Sequence, residues 1–236
     1  NRLPASEKRL QPLRGHRGAA LPGHSLVVYD PDLALVCDIV ACEDAHESER
    51  LGVQPLVDSA QAGQLWIADR HFCTLAILQG FSQAGASFIV REHARHPRLS
   101  EHSPWSERSR IDTGEVREQT IQLQAIHADA SQGAWRRIEI ALDAPTEAGE
   151  STIGLWTNLP AAVDAARIAA LYRKRWRIES MFQRLESVLH SEIKSLGHPR
   201  AALLGFTVAV LAYNVLSLLQ RAVEQAHRPQ QPELEV

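Results

Sequence analysis

The chain has 236 residues, 44% of them hydrophobic and 22% charged, which suits one large globular domain, or one domain carrying an insertion, and excludes fibrous and low-complexity classes. A formal net charge of −3 excludes a uniformly basic chain. Cys37, Cys42 and Cys73 are the three cysteines; their number and spacing match neither a disulfide scaffold nor a zinc motif, and favour reduced thiols in a cytosolic protein.

No charged n-region followed by an apolar h-region opens the chain. It starts at Asn1 and its single methionine is Met181, so it reads as a fragment. Pro4, Pro12, Gly15, Gly18, Pro22 and Gly23 predict an extended opening loop. SLVVYD (25–30) and LALVCDIVA (33–41), separated by Asp30-Pro31-Asp32, predict a β-hairpin. Helical spacing over 44–62 follows, then a buried-type strand, QLWIA from Gln64, a helix over 74–85 and the strand SFIVR over 87–91. Alternation of strands and helices implies an α/β sheet with parallel members.

Between His93 and Pro145 the texture changes, and REQTIQLQAI and WRRIEIAL alternate as antiparallel strands of a β-rich insertion do. TIGLWTN (152–158) returns to buried-strand character. Two long helices, over 161–189 and 199–226, complete the fold, and the tail RPQQPELEV reads as disordered. The uncharged run AALLGFTVAVLAYNVLSLL only just reaches membrane-spanning length, and Thr207, Tyr213, Asn214 and Ser217 within it favour a central core helix.

Chemistry concentrates on two carboxylates. Asp69 ends the apolar strand in LWIADRHF, and Glu179 sits in the basic helix LYRKRWRIESMFQRLE. Carboxylates at a strand end and on a helix can hold Mg²⁺ or Mn²⁺, and a pair of such ions suits phosphodiester displacement. Asp69 reads equally well as a helix N-terminal acid. Tyr172, Arg175, Glu179 and Glu186 fall three, four and seven residues apart, one stripe of a continuous helix; a surface row of i,i+4 ion pairs has the same spacing. Residues 171–200 carry seven basic side chains against three acidic ones, a local excess that suits a polyanion such as DNA, although a solvated helix face is the commoner cause. Arg173, Lys174 and Arg177 belong to that run, and Trp105, Arg108 and Arg110 could stack on and grip DNA from the insertion. His93 and His96 lack a third partner at ligand spacing, and Cys73 near His71 reads as a buried thiol rather than a nucleophile.

The block YRKRWRIESMFQRLE resembles the signature helix of bacterial insertion-sequence transposases of the Asp-Asp-Glu type, in the IS-four branch marked Tyr-x2-Arg-x3-Glu-x6-Lys. Tyr172, Arg175 and Glu179 match the signature, and Glu186 stands where it has Lys. WIADRHF resembles the family's second-aspartate strand, and FIVR, TNLP and AYNVLSLLQRA resemble the strands and closing helix that follow. The resemblance implies a ribonuclease H-like α/β core with a β-rich insertion before the glutamate-bearing helix: core over 1–92, insertion over 93–150, core again over 151–226, tail over 227–236. It implies Asp69 and Glu179 as catalytic metal ligands for Mg²⁺ or Mn²⁺, two ions in the intact site, and DNA contacts by Tyr172, Arg175 and their basic neighbours. It further implies transposon ends and target DNA as partners, dimeric action, no membrane partner, and a place in the bacterial cytoplasm at the nucleoid. Only two strands precede the helix at 44–62 where that fold has three, so the first strand and its aspartate are expected upstream of Asn1. Asp30 and Asp38 are the alternatives for the first ligand, and an inactive DNA-binding remnant is the alternative for the whole.

Overall fold

The computed structural model describes residues 24–43, 47–95, 97, 99–123, 135–191 and 199–227. The opening to Gly23 and the tail from 228, with the loop and the disorder expected there, lie outside the described residues. Two compact units are present: Val53–Trp176, and the described residues up to Gly52 together with those from Arg177 onward.

The split unit begins with the expected hairpin, β1 (His24–Asp30) antiparallel to β2 (Leu35–Cys42), with a bulge after Val28. Asp30 makes the turn: its Oδ1 accepts the backbone N–H of Asp32 and of Leu33, both at 2.8 Å, the usual way an aspartate stands in for backbone at a reversal. One helical turn, α1 (Glu49–Gly52), follows, and the expected helix over 44–62 is realised as α1 and α2 (Gln54–Asp58) around Val53. Residues 44–46 lie outside the described set.

The core of this unit is the inner face of a long helix. Ala202, Leu203, Phe206, Ala209, Val210 and Tyr213 recur at helical spacing, and pack with Val36 of β2 and with Met181 and Leu185. Asn214 fastens that helix to the hairpin: its Oδ1 accepts Val36 N–H and its Nδ2 donates to Val36 C=O, each at 2.9 Å, so the outer edge of β2 is satisfied by a side chain instead of a strand. The Tyr29 and Tyr213 hydroxyls meet at 3.2 Å, and burial, more than that contact, pushes the Tyr29 phenol well above its ordinary value. The expectation of a central core helix needs correction. Leu204, Val208, Leu211, Val215 and Leu219 on the other face are exposed; a run without charges has two apolar faces, and the unit covers only one.

The other unit is built on a sheet of seven strands in the order β3-β4-β9-β8-β7-β5, with β6 paired to β7. β3 (Leu65–Ala68) and β4 (Ser87–Arg91) are parallel and joined by α3 (Leu75–Gln83), a crossover such strands require. Thr74 caps α3 by accepting the Ile77 N–H. Gly85, at φ +72°, turns the chain out of α3 into β4, a conformation that suits glycine. β5 (Leu99–His102), β6 (Ser109–Ile111), β7 (Gly114–Leu123) and β8 (Trp135–Leu142) are the β-rich stretch. They are hydrogen-bonded through β8 to β9 (Thr152–Thr157), which is antiparallel to β4, so one sheet runs through all of them. Side chains extend the β4–β9 ladder: Asn158 accepts Phe88 N–H at 2.8 Å and donates to Ala86 C=O at 2.9 Å, while Thr157 Oγ1 donates to Phe88 C=O. The mixed α/β architecture is consistent with the expected ribonuclease H-like core.

α4 (Ala165–Arg173), capped by Asp164 on Arg167 N–H, lays Ile168, Ala169 and Tyr172 on this sheet. The single helix expected over 161–189 is two. Lys174 N–H turns back to Leu171 C=O and Arg175 N–H to Tyr172 C=O, tight i→i−3 bonds that close α4 before α5 (Trp176–Ser187) starts. Arg173, Lys174, Arg175 and Arg177 put four cations into five residues. Like charges in one turn repel, while the C-terminus of α4 attracts them. The last helix is α6 (Pro199–Ala226).

Replacing Asn214 with Ala strands Val36 N–H and C=O without partners. Chemical denaturation should show the split unit destabilised by about 2 kcal/mol; an unchanged midpoint would refute the clamp.

Candidate active site

Asp69 stands at the C-terminal end of β3, where open α/β sheets place their functional groups. Its backbone is still extended, and its Oδ1 accepts the Arg70 N–H at 2.7 Å to cap a 3-10 turn over Arg70–Phe72. The alternative, an N-terminal acid for the helix over 74–85, is not what forms: Thr74 caps that helix, and Asp69 caps the 3-10 turn with one carboxylate oxygen. In the parallel ladder Ala68 faces Val90, so the next residues, Asp69 and Arg91, emerge side by side.

Tyr172 approaches the same corner from α4. Only 4% of it is exposed, and it packs with Ile89, Leu155 and Ile168. Burial pushes its phenol above the ordinary value; Arg175 pulls it down, the Asp69 charge pushes it up, and Arg91 pulls it down again, leaving it raised. The phenol is thus a neutral group among charges, able to donate a hydrogen bond and unsuited to act as a base. The Arg175 guanidinium lies 5.8 Å from the Tyr172 ring centroid and 4.9 Å from that of Trp176, within reach of cation–π attraction.

Tyr172, Arg175, Glu179 and Glu186 do not share the one continuous helix expected of them. Tyr172 ends α4, Arg175 lies in the break, and Glu179 and Glu186 belong to α5. Glu179 is half-buried beside the stripe of Ile178, Met181, Phe182 and Leu185, and Glu186 is exposed. Asp69 and Glu179 fall in different compact units. Arg173 reaches Asp112 at 3.4 Å. Arg177 donates to Pro31 C=O at 2.9 Å and lies 3.6 Å from Asp32, so it braces the hairpin turn. Trp105 is half-buried, with the Arg117 and Arg137 guanidiniums 4.5 and 5.2 Å from its ring centroid. Arg108 and Arg110 pair with Glu115 and Asp143.

Of the alternatives for a first ligand, Asp30 is used by its turn, and Asp38 accepts the N–H of Ile39 on the exposed side of β2. Cys73 is buried and Cys37 exposed; Cys42 donates to Glu47. His96 lies outside the described residues.

The oxygen chemistry of Asp69 and Glu179 fits a hard divalent ion such as Mg²⁺. Among the described residues no group of three His, Cys, Asp or Glu side chains converges on a common point. Sequence reasoning passed over Arg70, Arg91, Arg137 and Glu150, which line a cavity of about 540 Å³ with His93 and Glu92. A positional signal was present: Arg70 follows Asp69, and Arg91 ends the next strand.

For Tyr172 the sign of the pH effect follows from the raised phenol. Its contribution is complete below the unfolded value near pH 10 and is lost as pH rises through the folded one, because the unfolded state then gives up a proton that the folded state keeps. Alkaline unfolding of Tyr172→Phe should accordingly show a shallower loss of stability above about pH 10 than the unmodified protein. Identical slopes would mean that the phenol is not held neutral.

A model of the transposase DDE domain matches residues 14–215, and a search of curated proteins finds no match. The matched span takes in β3 with Asp69, the β-rich stretch, and α4 and α5 with Tyr172, Arg175 and Glu179, and on that match the chain belongs to the transposase DDE domain family.

Proposed function

We propose that the chain is the catalytic domain of an insertion-sequence transposase of the IS-four branch, cutting and joining DNA strands by in-line displacement at phosphodiesters. The observation that carries the reading is the corner of Asp69, Arg91 and Tyr172 at the ends of β3, β4 and α4, within a span matched by the transposase DDE domain. DNA as substrate follows from the family, and the sequence around Tyr172 supports the branch.

In this reading Asp69 and Glu179 would hold Mg²⁺ or Mn²⁺, two ions in the complete site, which would supply positive charge at the reacting phosphodiester and acidify the attacking oxygen. Tyr172 donates a hydrogen bond to a phosphate oxygen from a neutral phenol, and Arg175 sets a fixed cation beside it. Arg173, Lys174, Arg177 and Trp105 contact the backbone and bases outside the reacting linkage, those now in ion pairs exchanging a carboxylate for a phosphate. On its side away from β4, β3 has no strand partner among the described residues. The edge of β1 away from β2 is open in the same sense. The protein works as a dimer on paired element ends, in the bacterial cytoplasm at the nucleoid.

The test is Mg²⁺-dependent cleavage of DNA carrying the element ends. Asp69→Asn keeps the cap on Arg70 N–H, since Asn caps as well as Asp, and removes the charge; Glu179→Gln removes the charge on α5. Each should reduce strand cleavage by on the order of 10³-fold while leaving metal-free DNA binding within about twofold. Cleavage retained by both variants overturns the assignment, and DNA binding by the unmodified protein without any cleavage marks it as an inactive remnant.

A further inference from the structure

The cavity beside Asp69 has walls of mixed charge, and its carboxylates do different things. Glu92 takes Arg137, with Nε at 3.0 Å and Nη2 at 2.8 Å from one oxygen. Glu139 takes Arg117 at 2.7 Å from Nε. Both are one-to-one pairs, the second between the neighbouring strands β7 and β8 and the first from the end of β4 across β9 to β8. Glu150 instead lies between two guanidiniums: its Oε1 accepts from Arg70 Nη1 at 3.0 Å, and its Oε2 forms a close ion pair with Arg91 Nη2.

Two cations from separate strand ends thus converge on the two oxygens of one anion. That is the arrangement by which arginines grip a phosphodiester, whose two non-bridging oxygens are separated much as those of a carboxylate are. Arg91, 13% exposed at the end of β4, is the firmly held cation of the two, since Arg70 is 50% exposed; Glu150, 31% exposed, sits on a turn ahead of β9. That turn is closed without the Glu150 side chain, by Thr146 N–H to Glu150 C=O at 2.9 Å and Glu150 N–H to the Thr146 hydroxyl Oγ1 at 3.2 Å, so the carboxylate can leave without opening it. The two arginines hold the Glu150 carboxyl below its ordinary value, Arg91 most of all, so it is an anion at neutral pH. Gly154 on the neighbouring strand makes room for the Glu92 side chain at the cavity wall, because a Cβ there would meet Glu92 Oε2 at 2.2 Å.

We infer that Arg70 and Arg91 form a binding site for a DNA backbone phosphate next to Asp69, and that Glu150 occupies this site as an internal competitor which the phosphate must displace. The inference rests on the proposed DNA-cutting function and adds a control to it: free protein keeps the two arginines neutralised, and DNA that cannot reach Arg91 leaves them so. No covalent step is involved, only an exchange of one anion for another on the same two cations.

The experiment measures binding to the unmodified protein and to Glu150→Gln, without divalent metal, using inorganic pyrophosphate and a short DNA duplex as separate probes. Glu150→Gln should bind both about tenfold more tightly. Arg91→Gln in the Glu150→Gln background should abolish the gain, and Glu150→Ala should reproduce it if Glu150→Gln folds poorly. Equal or weaker binding by both Glu150 variants overturns the inference, as does a gain that survives Arg91→Gln. A gain for pyrophosphate without one for duplex removes DNA as the source of the phosphate. These readouts need neither metal nor cleavage, so a failure of the Asp69 and Glu179 assignment shows in the cleavage test and a failure of the Glu150 competitor shows here.

Discussion

Ala68 faces Val90 in a parallel ladder, and that register decides what stands at the ends of the strands. Because side chains alternate faces along a strand, a slip of one residue would send the strand's side chains to the opposite face. The register has supports on both sides. α3 carries the chain back over the sheet and ends in a glycine at positive φ, and Asn158 ties Phe88 and Ala86 to the end of β9. Tyr172 meets the same corner because α4 is capped by Asp164 and buries Ile168 and Ala169 one turn before it. Catalytic groups on such an element gain precision from packing far from the chemistry.

The division of the signature block has a different origin. Tyr172 and Glu179 are seven residues apart, which on an unbroken helix would put them on one stripe. The helix is broken between them, where the cations are densest, and the boundary between the two compact units follows directly, after Trp176. Tyr172 answers to the core of the sheet, with its phenol raised by burial. Glu179 answers to the amphipathic face that Ile178, Met181 and Leu185 present to the other core. The spacing in the sequence is compatible with shared function while each residue is held by its own set of packing contacts.

What could be read from the sequence follows the strength of the local signal. QLWIA, SFIVR, WRRIEIAL and TIGLWTN are bounded apolar or alternating runs, and each is a strand within a residue or so of the expected limits. Asp69 was legible because it ends such a run. The break in the helix was not, since Arg and Lys are good helix formers one at a time and their mutual repulsion depends on crowding. α6 was legible as a helix but not as a one-sided one, because hydropathy averages over faces. The Glu150 contacts were the least accessible: Arg70 and Glu150 are 80 residues apart and Arg91 and Glu150 are 59, and only the pairing of β4 with β9 brings them to one corner.

The charge balance of the chain bears on how it would hold DNA. Several of the cations suited to phosphate already have carboxylate partners: Arg173 with Asp112, Arg177 with Asp32, Arg108 with Glu115, Arg110 with Asp143 and Arg137 with Glu92. Most of these pairs are exposed, and exposed pairs contribute about 0–1 kcal/mol each, so exchanging a carboxylate for a phosphate costs little. The exchange does not release a solution counterion from the protein side, and it frees a carboxylate close to the DNA. Binding would therefore gain less from each contact than unpaired arginines would give. A protein of formal charge −3 that is neutralised from within has a weak long-range pull on nucleic acid. On the proposed function, selectivity would then rest on the short-range geometry at the ends of β3 and β4.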